Sequence, residues 1–338
     1  MLLSALAMIA LVAFAVSQLD VHRIGHALIT ASPGWIALAL VLMGSSLLLR
    51  AVSWHQTLHA ALPDTTVRFA PVARATMIGV MASAVLPGRI GEPTRVLVLT
   101  RRLDGPNRRL IPVLAGTVVS QTLINLLALA ILAAITFTSV PLLHGHVSGV
   151  IVALAVPLAI AALVLLGPRL LALGMRSSST RIAIAAETIA RGLRLARQGL
   201  IVFARPRYGA AAVAAQLGAW ALQWLACYMV VLALGLQSQA TLVSAAAVLL
   251  AVNVSAILPA TPSNVGVFQA ACLVVLAAYG VGAGPGLAYG IILQAVEVVT
   301  ALAMGIPALL AENLTWDDIR SGGAVAPGAE GASAGQRP

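Results

Sequence analysis

Six times the chain runs through about 20 mostly apolar residues, near residues 1–19, 33–54, 110–138, 148–167, 209–236 and 286–311, long enough to cross a bilayer as a helix. Two further apolar stretches, at about 70–100 and 241–281, are each interrupted by a Pro/Gly-rich polar break. Only 9% of residues are charged, against about 25% in a soluble globule. With 60% hydrophobic residues and a mean hydropathy of +1.01, the pattern predicts an all-α, polytopic membrane protein. The first run lacks the basic stretch that opens a secretory signal and is expected to be a retained helix.

The two breaks share a phrase. Ser83-Ala84-Val85-Leu86-Pro87 and Ser255-Ala256-Ile257-Leu258-Pro259 each close an apolar arm, and Gly91 or Gly266 opens the next one. At membrane depth, backbone leaves the helix only where protein or a hydrated cavity satisfies its freed N–H and C=O groups. Two matched breaks therefore predict two broken or re-entrant helix hairpins facing a shared polar site. The arginines set the orientation. Arg50, Arg68 and Arg74 precede the first break, Arg101, Arg102, Arg108 and Arg109 follow it, and eight more lie between Arg169 and Arg207. By the positive-inside rule these segments are cytoplasmic, as are both termini. The first break is then entered from the cytoplasm and the second from outside, the inverted repeat that alternating access requires.

The first break, Leu86-Pro87-Gly88-Arg89-Ile90-Gly91-Glu92-Pro93-Thr94-Arg95, concentrates charge inside apolar sequence. Pro93 suits a first helical turn, which makes Glu92 the expected N-cap. Two readings fit. Arg89, Arg95 and the helix N-terminus hold an anionic headgroup while Glu92 orients an arginine or a substrate amine; or Glu92 complements the helix dipole and the arginines reach to the interface. The second break carries Pro259, Ser263, Asn264 and Gly266 but no charge, and Ser263 or Asn264 is expected to cap the following arm. Asn253 adds an amide one turn earlier. Glu297 stands alone as a carboxylate deep in an apolar run, as a partner for Arg89 or Arg95, a titrating group, or a neutral hydrogen-bond donor to Gln294. Gln121 and Asn125, at i and i+4, either line a route or tie helices together.

The first break with its Arg101-Arg102 exit, together with Pro-Ala-Thr-Pro-Ser-Asn-Val-Gly-Val-Phe-Gln from Pro259 to Gln269, resembles the lysylphosphatidylglycerol synthase transmembrane, or flippase-like, family over nearly all of residues 1–312. The resemblance implies a membrane domain that moves lipids or glycolipids between leaflets, in some relatives fused to a soluble aminoacyl-lipid synthase. The chain departs from that pattern. Relatives often place an acid and a base where it has Gln121 and Thr122, a further acid at Asn125, and arginine at Gly290. That departure points away from an aminoacylated lipid and toward an anionic lipid or glycolipid.

Between residues 176 and 208, Ile182, Ala186, Ile189, Leu193 and Leu200 recur at near-helical spacing among Arg181, Arg191, Arg194 and Arg197. This predicts a basic amphipathic helix on the anionic inner leaflet, with a solvated linker as the alternative. The net charge of +10 falls in loops between spans and so points to lipid surface, not nucleic acid. His22/His26 and His55/His59 lack an evident third ligand, Cys227 and Cys272 lack CxxC spacing, and no cofactor is implied. Residues 313–338, rich in Gly, Ala and Pro, are expected to form a disordered cytoplasmic tail after a transmembrane domain of residues 1–312. The whole predicts a lipid or glycolipid translocator of the cell membrane rather than an enzyme. Its rivals are a scaffold for a partner lipid-modifying or glycosyltransferase enzyme and a membrane-embedded transferase.

Overall fold

Pro33 opens the first helix because a first-turn residue needs no backbone donor, and Pro63 helps to end it by disfavouring helical backbone at Leu62. The computed structural model describes residues 30–85, 91–103, 107–139, 199–256, 264 and 266–313. Among these, α1 spans Pro33–Ala61, α2 Phe69–Val85, α3 Gly91–Thr100 and α4 Asn107–Ser139. A short 3₁₀ turn at Leu200–Ala204 leads to α5 at Pro206–Ala233. Then come α6 at Leu242–Ser255, α7 at Val267–Ala278 and α8 at Ala283–Ala311. The described residues are thus all-helical, as the composition requires.

Four of these helices, α1, α4, α5 and α8, are long and apolar enough to cross a membrane. They coincide with the runs expected at 33–54, 110–138, 209–236 and 286–311. The runs at 1–19 and 148–167, residues 176–198 and the tail beyond Asn313 lie outside the described residues. The other four helices are short, roughly 15 to 26 Å at 1.5 Å per residue, against about 30 Å of hydrocarbon. They flank the two breaks: α2 with α3, and α6 with α7, each pair packing on itself.

Glycines stop two of the helices by the same device. After α5, Gly235 takes φ +67 so that its N–H reaches Leu232 O at 3.1 Å and Leu236 N–H reaches Val231 O at 3.0 Å. After α7, Gly280 takes φ +82 and Val281 N–H closes on Leu276 O at 3.1 Å. The four-residue link to α8 therefore needs no long loop.

The antiparallel pair α1 and α5 forms the spine. Ser32 N–H donates to Ala233 O at 2.8 Å at one end, and Ser53 Oγ donates to Ala212 O at 2.9 Å toward the other. Buried Ala39, Ser46, Ala51, Ala212, Ala219 and Ala226 let the helices approach closely, the small-residue seam typical of lipid-embedded packing. Around this spine, one apolar cluster joins α1, α4, α5, α6, α7 and α8, and holds both Cys227 and Cys272. Fully buried Tyr289 is tied into it by its hydroxyl, which donates to Cys227 O at 2.9 Å. A second cluster, with Trp54, Ile78, Met81, Leu99 and Leu114, packs α2 and α3 against α1 and α4. Val41, Val274 and Leu310 are 64%, 70% and 68% exposed, as expected of side chains meant for lipid.

Arg50, grouped above with the cytoplasmic arginines, falls within the run expected at 33–54. The helix continues past the apolar run to Ala61 because Trp54, Thr57 and Leu58 keep a face buried, so Arg50 sits inside α1.

Candidate functional site

On α5 the residues Gln216, Trp220 and Gln223 recur at i, i+4 and i+7, and all three are buried. Buried amides need partners, and they find them on α4 and α1. Gln216 Nε2 donates to Asn125 Oδ1, which also accepts from Trp220 Nε1 at 3.0 Å. One turn along α4, Gln121 Nε2 donates to Arg50 O at 3.0 Å and, more weakly, to Gln216 Oε1 at 3.4 Å. The i, i+4 pair on α4 therefore does bond between helices.

Two guanidiniums close this polar layer. Arg95, brought in by α3, donates from Nη1 to Gln121 Oε1 at 2.7 Å and pairs through Nη2 with Glu92. Its guanidinium carbon lies 4.7 Å from the centre of the Trp54 ring, a cation–π contact. Trp54 is itself fixed, since its Nε1 donates to Thr117 Oγ1 at 2.9 Å. Arg50 donates from Nη2 to Gln223 Oε1 at 2.5 Å and lies within electrostatic reach of Glu297, Glu92 and Arg95. Among the described residues, Arg50 is the cation whose charge acts on Glu297; the expected partner Arg89 lies outside them. Gln294 Oε1 accepts from Gln269 Nε2 of α7.

The first-break residues divide by role. Glu92 is not the cap: α3 already includes Gly91, and the Glu92 side chain, 56% exposed, sits in its first turn. There it complements the helix dipole and holds Arg95 at once. Gly91 is a packing necessity, for a Cβ there would stand 2.0 Å from Gly79 O and 2.1 Å from Ser83 Oγ. Arg89 lies outside the described residues.

Across the second break, Gly266 rather than Ser263 or Asn264 caps α7, its N–H donating to Gln269 Oε1 at 2.6 Å. Gly266 has φ +88 and Asn264 φ +54, left-handed backbone suited to a break. Asn264 Nδ2 reaches Ser255 Oγ at 3.4 Å. Asn253 Nδ2 bonds back to Leu249 O at 2.8 Å, within its own helix, and does not join the α4–α5 network. Gly290 lets α7 lie close, since a Cβ there would be 3.0 Å from Gln269 Cα. Pro259, Ser263, Arg181, Arg191, Arg194 and Arg197 lie outside the described residues. His55 and His59 contact each other at 3.1 Å within α1, and His59 stacks on Tyr208.

The structure therefore gathers Glu92, Arg95, Gln121 and Asn125 around residues that composition did not single out, Arg50, Trp54, Gln216, Trp220 and Gln223, with Glu297 in electrostatic reach of Arg50. The layer offers charge and hydrogen bonds at the depth where the surrounding helices are apolar. No curated protein matches the chain. A family model described as the lysylphosphatidylglycerol synthase transmembrane region does match it, over residues 1–305, a stretch that takes in both breaks and every member of this polar layer. The chain belongs to that family.

Proposed function

We propose that this protein translocates a lipid or glycolipid across the cytoplasmic membrane, passing the headgroup along a polar route while the acyl chains stay in the bilayer. The observation that carries the reading is the continuous chain Arg95–Gln121–Gln216–Asn125, set among helices long enough to span. A charge costs about 2.5 to 3.5 kcal/mol at the helix centre on insertion scales, so a layer with two arginines and Glu297 is expensive to keep without a polar task.

Element lengths and end contacts support paired re-entrant hairpins within an inverted repeat. Arg74 near the start of α2 and Arg102 just past α3 both bind Glu312, at 3.0 and 2.6 Å, so both ends of the first broken segment meet the end of α8. The second segment begins a short turn after α5 and ends a short turn before α8, toward the opposite end of the bundle. The described parts of its arms and of those of the first segment are shorter than the about 20 residues of a typical span, which favours hairpins. With the arginine-rich end cytoplasmic, the C-terminus falls on that side, and so does the N-terminus if the run at 1–19 and its neighbour cross as a pair. On this reading Arg89, Pro259, Ser263, Asn264 and Gly266 line the breaks, while Arg181, Arg191, Arg194 and Arg197 rest on anionic lipid.

The test is a fluorescent-lipid accessibility assay in proteoliposomes holding the full chain. Wild type should exchange labelled lipid between leaflets, and Arg95→Ala should slow exchange by roughly tenfold, the loss of a single charge-assisted contact. Exchange no faster than in protein-free vesicles would refute the reading and favour a scaffold for a lipid-modifying enzyme.

A further inference from the structure

The amide oxygens of the buried layer are taken by its own donors. Gln121 Oε1 accepts from Arg95, Gln223 Oε1 from Arg50, Gln216 Oε1 from Gln121, and Asn125 Oδ1 from both Gln216 and Trp220. What is left over is donors. Among the described residues, Nε of Arg50 and Nε of Arg95 are buried and without a hydrogen-bond partner. Both belong to guanidiniums that do not give up their proton. Arg95 is only 7% exposed, whereas the carboxylate it holds, Glu92, is 56% exposed. That anion grips Arg95 from the exposed side of the site.

A molecule that completes such a site must bring acceptor oxygens and negative charge. A phosphodiester does so, with two unesterified oxygens that match the fork of a guanidinium. An ammonium-bearing headgroup does the reverse at these two guanidiniums, setting positive charge and further donors beside donors that already lack a partner. We propose that Arg50 and Arg95 form the receptor for the phosphodiester of an anionic lipid whose headgroup carries no ammonium, with Glu92 as the anion that the phosphodiester replaces on Arg95. This names the cargo class of the route proposed above and rests on it. The site thereby discriminates against the aminoacylated lipid for which its family is described.

Lipid retention separates the cargo from the transport. The full chain in detergent is offered an equimolar mixture of phosphatidylglycerol, its lysylated form and phosphatidylcholine, and bound lipid is read by native mass spectrometry. Phosphatidylglycerol should be retained about tenfold over the lysylated form, and Arg50→Gln or Arg95→Gln should cut that preference to roughly twofold or less. Glu92→Gln should raise retention, and millimolar glycerol phosphate should not displace the lipid. Equal or better retention of the lysylated lipid, or retention of none of the three, overturns the proposal. Displacement by glycerol phosphate overturns its lipid part. Should Arg50→Gln not fold, as judged by its elution profile, Arg95→Gln and Glu92→Gln decide. Selective retention without exchange in vesicles would instead fault the translocation reading and leave the receptor standing.

Discussion

Arg95 shows how a single residue is held ready in an apolar setting. One face rests on Trp54, one nitrogen is bound by Gln121 and another by Glu92, so its position is fixed from three elements, α1, α4 and α3. Trp54→Phe keeps a ring beneath it but leaves Thr117 Oγ1 without its indole donor. We expect a loss of roughly 1 to 2 kcal/mol in stability, seen as a lower midpoint of thermal unfolding in detergent. Gly91 is less forgiving. Gly91→Ala drives a methyl into the Gly79 carbonyl, and overpacking of that kind costs about 1 to 3 kcal/mol, which the same measurement should report. At this scale the sequence was legible in part. Charge inside apolar sequence pointed to Arg95, Glu92 and Glu297, and the 216, 220, 223 spacing on α5 was there to be read. Gln and Trp in a long apolar run look like ordinary span residues until a neighbouring helix supplies Asn125 and Arg50. The apolar run fades near residue 54, yet burial of Trp54, Thr57 and Leu58 carries the helix another two turns and leaves Arg50 well inside it.

Among elements, the pairing of short helices around each break was legible from hydropathy, whereas the fastening of the first pair was not. Glu312, its side chain only 3% exposed, binds Arg74 from α2 and Arg102 from beyond α3. Residues 238 and 210 positions away gave no sign of each other in sequence. Glu312→Gln keeps the shape and removes the charge. It should lower stability by about 1 to 3 kcal/mol, given that both arginines are partly exposed, and raise the rate at which a cysteine placed at Ser83 is alkylated. An unchanged alkylation rate would mean that the second cluster, with Ile78, Met81 and Leu99, holds the arms by itself. The caps were half legible. The start of α7 belongs to Gly266 and Gln269, because a glutamine three residues into the helix satisfies the free N–H that Ser263 or Asn264 was expected to take.

For the whole molecule, composition fixed the class and run lengths located the long helices, since burial in lipid leaves few alternatives for an apolar backbone. The proposed side of the membrane rests on the arginines alone, and it is open to a direct check. In sealed right-side-out vesicles, Ser238→Cys, in the turn between α5 and α6, should react with an impermeant maleimide, while Asp64→Cys, between α1 and α2, should react only after permeabilisation. Reversal of that pattern would invert the assignment without disturbing the fold.

The contact of Gly79 with Gly91, main chain against main chain, has a mechanical consequence. Interlocked side chains yield by hopping between rotamers, one after another, but a seam of bare peptide has nothing to hop. At that one crossing the separation of α2 and α3 is set by backbone alone, and no change of rotamer can alter it.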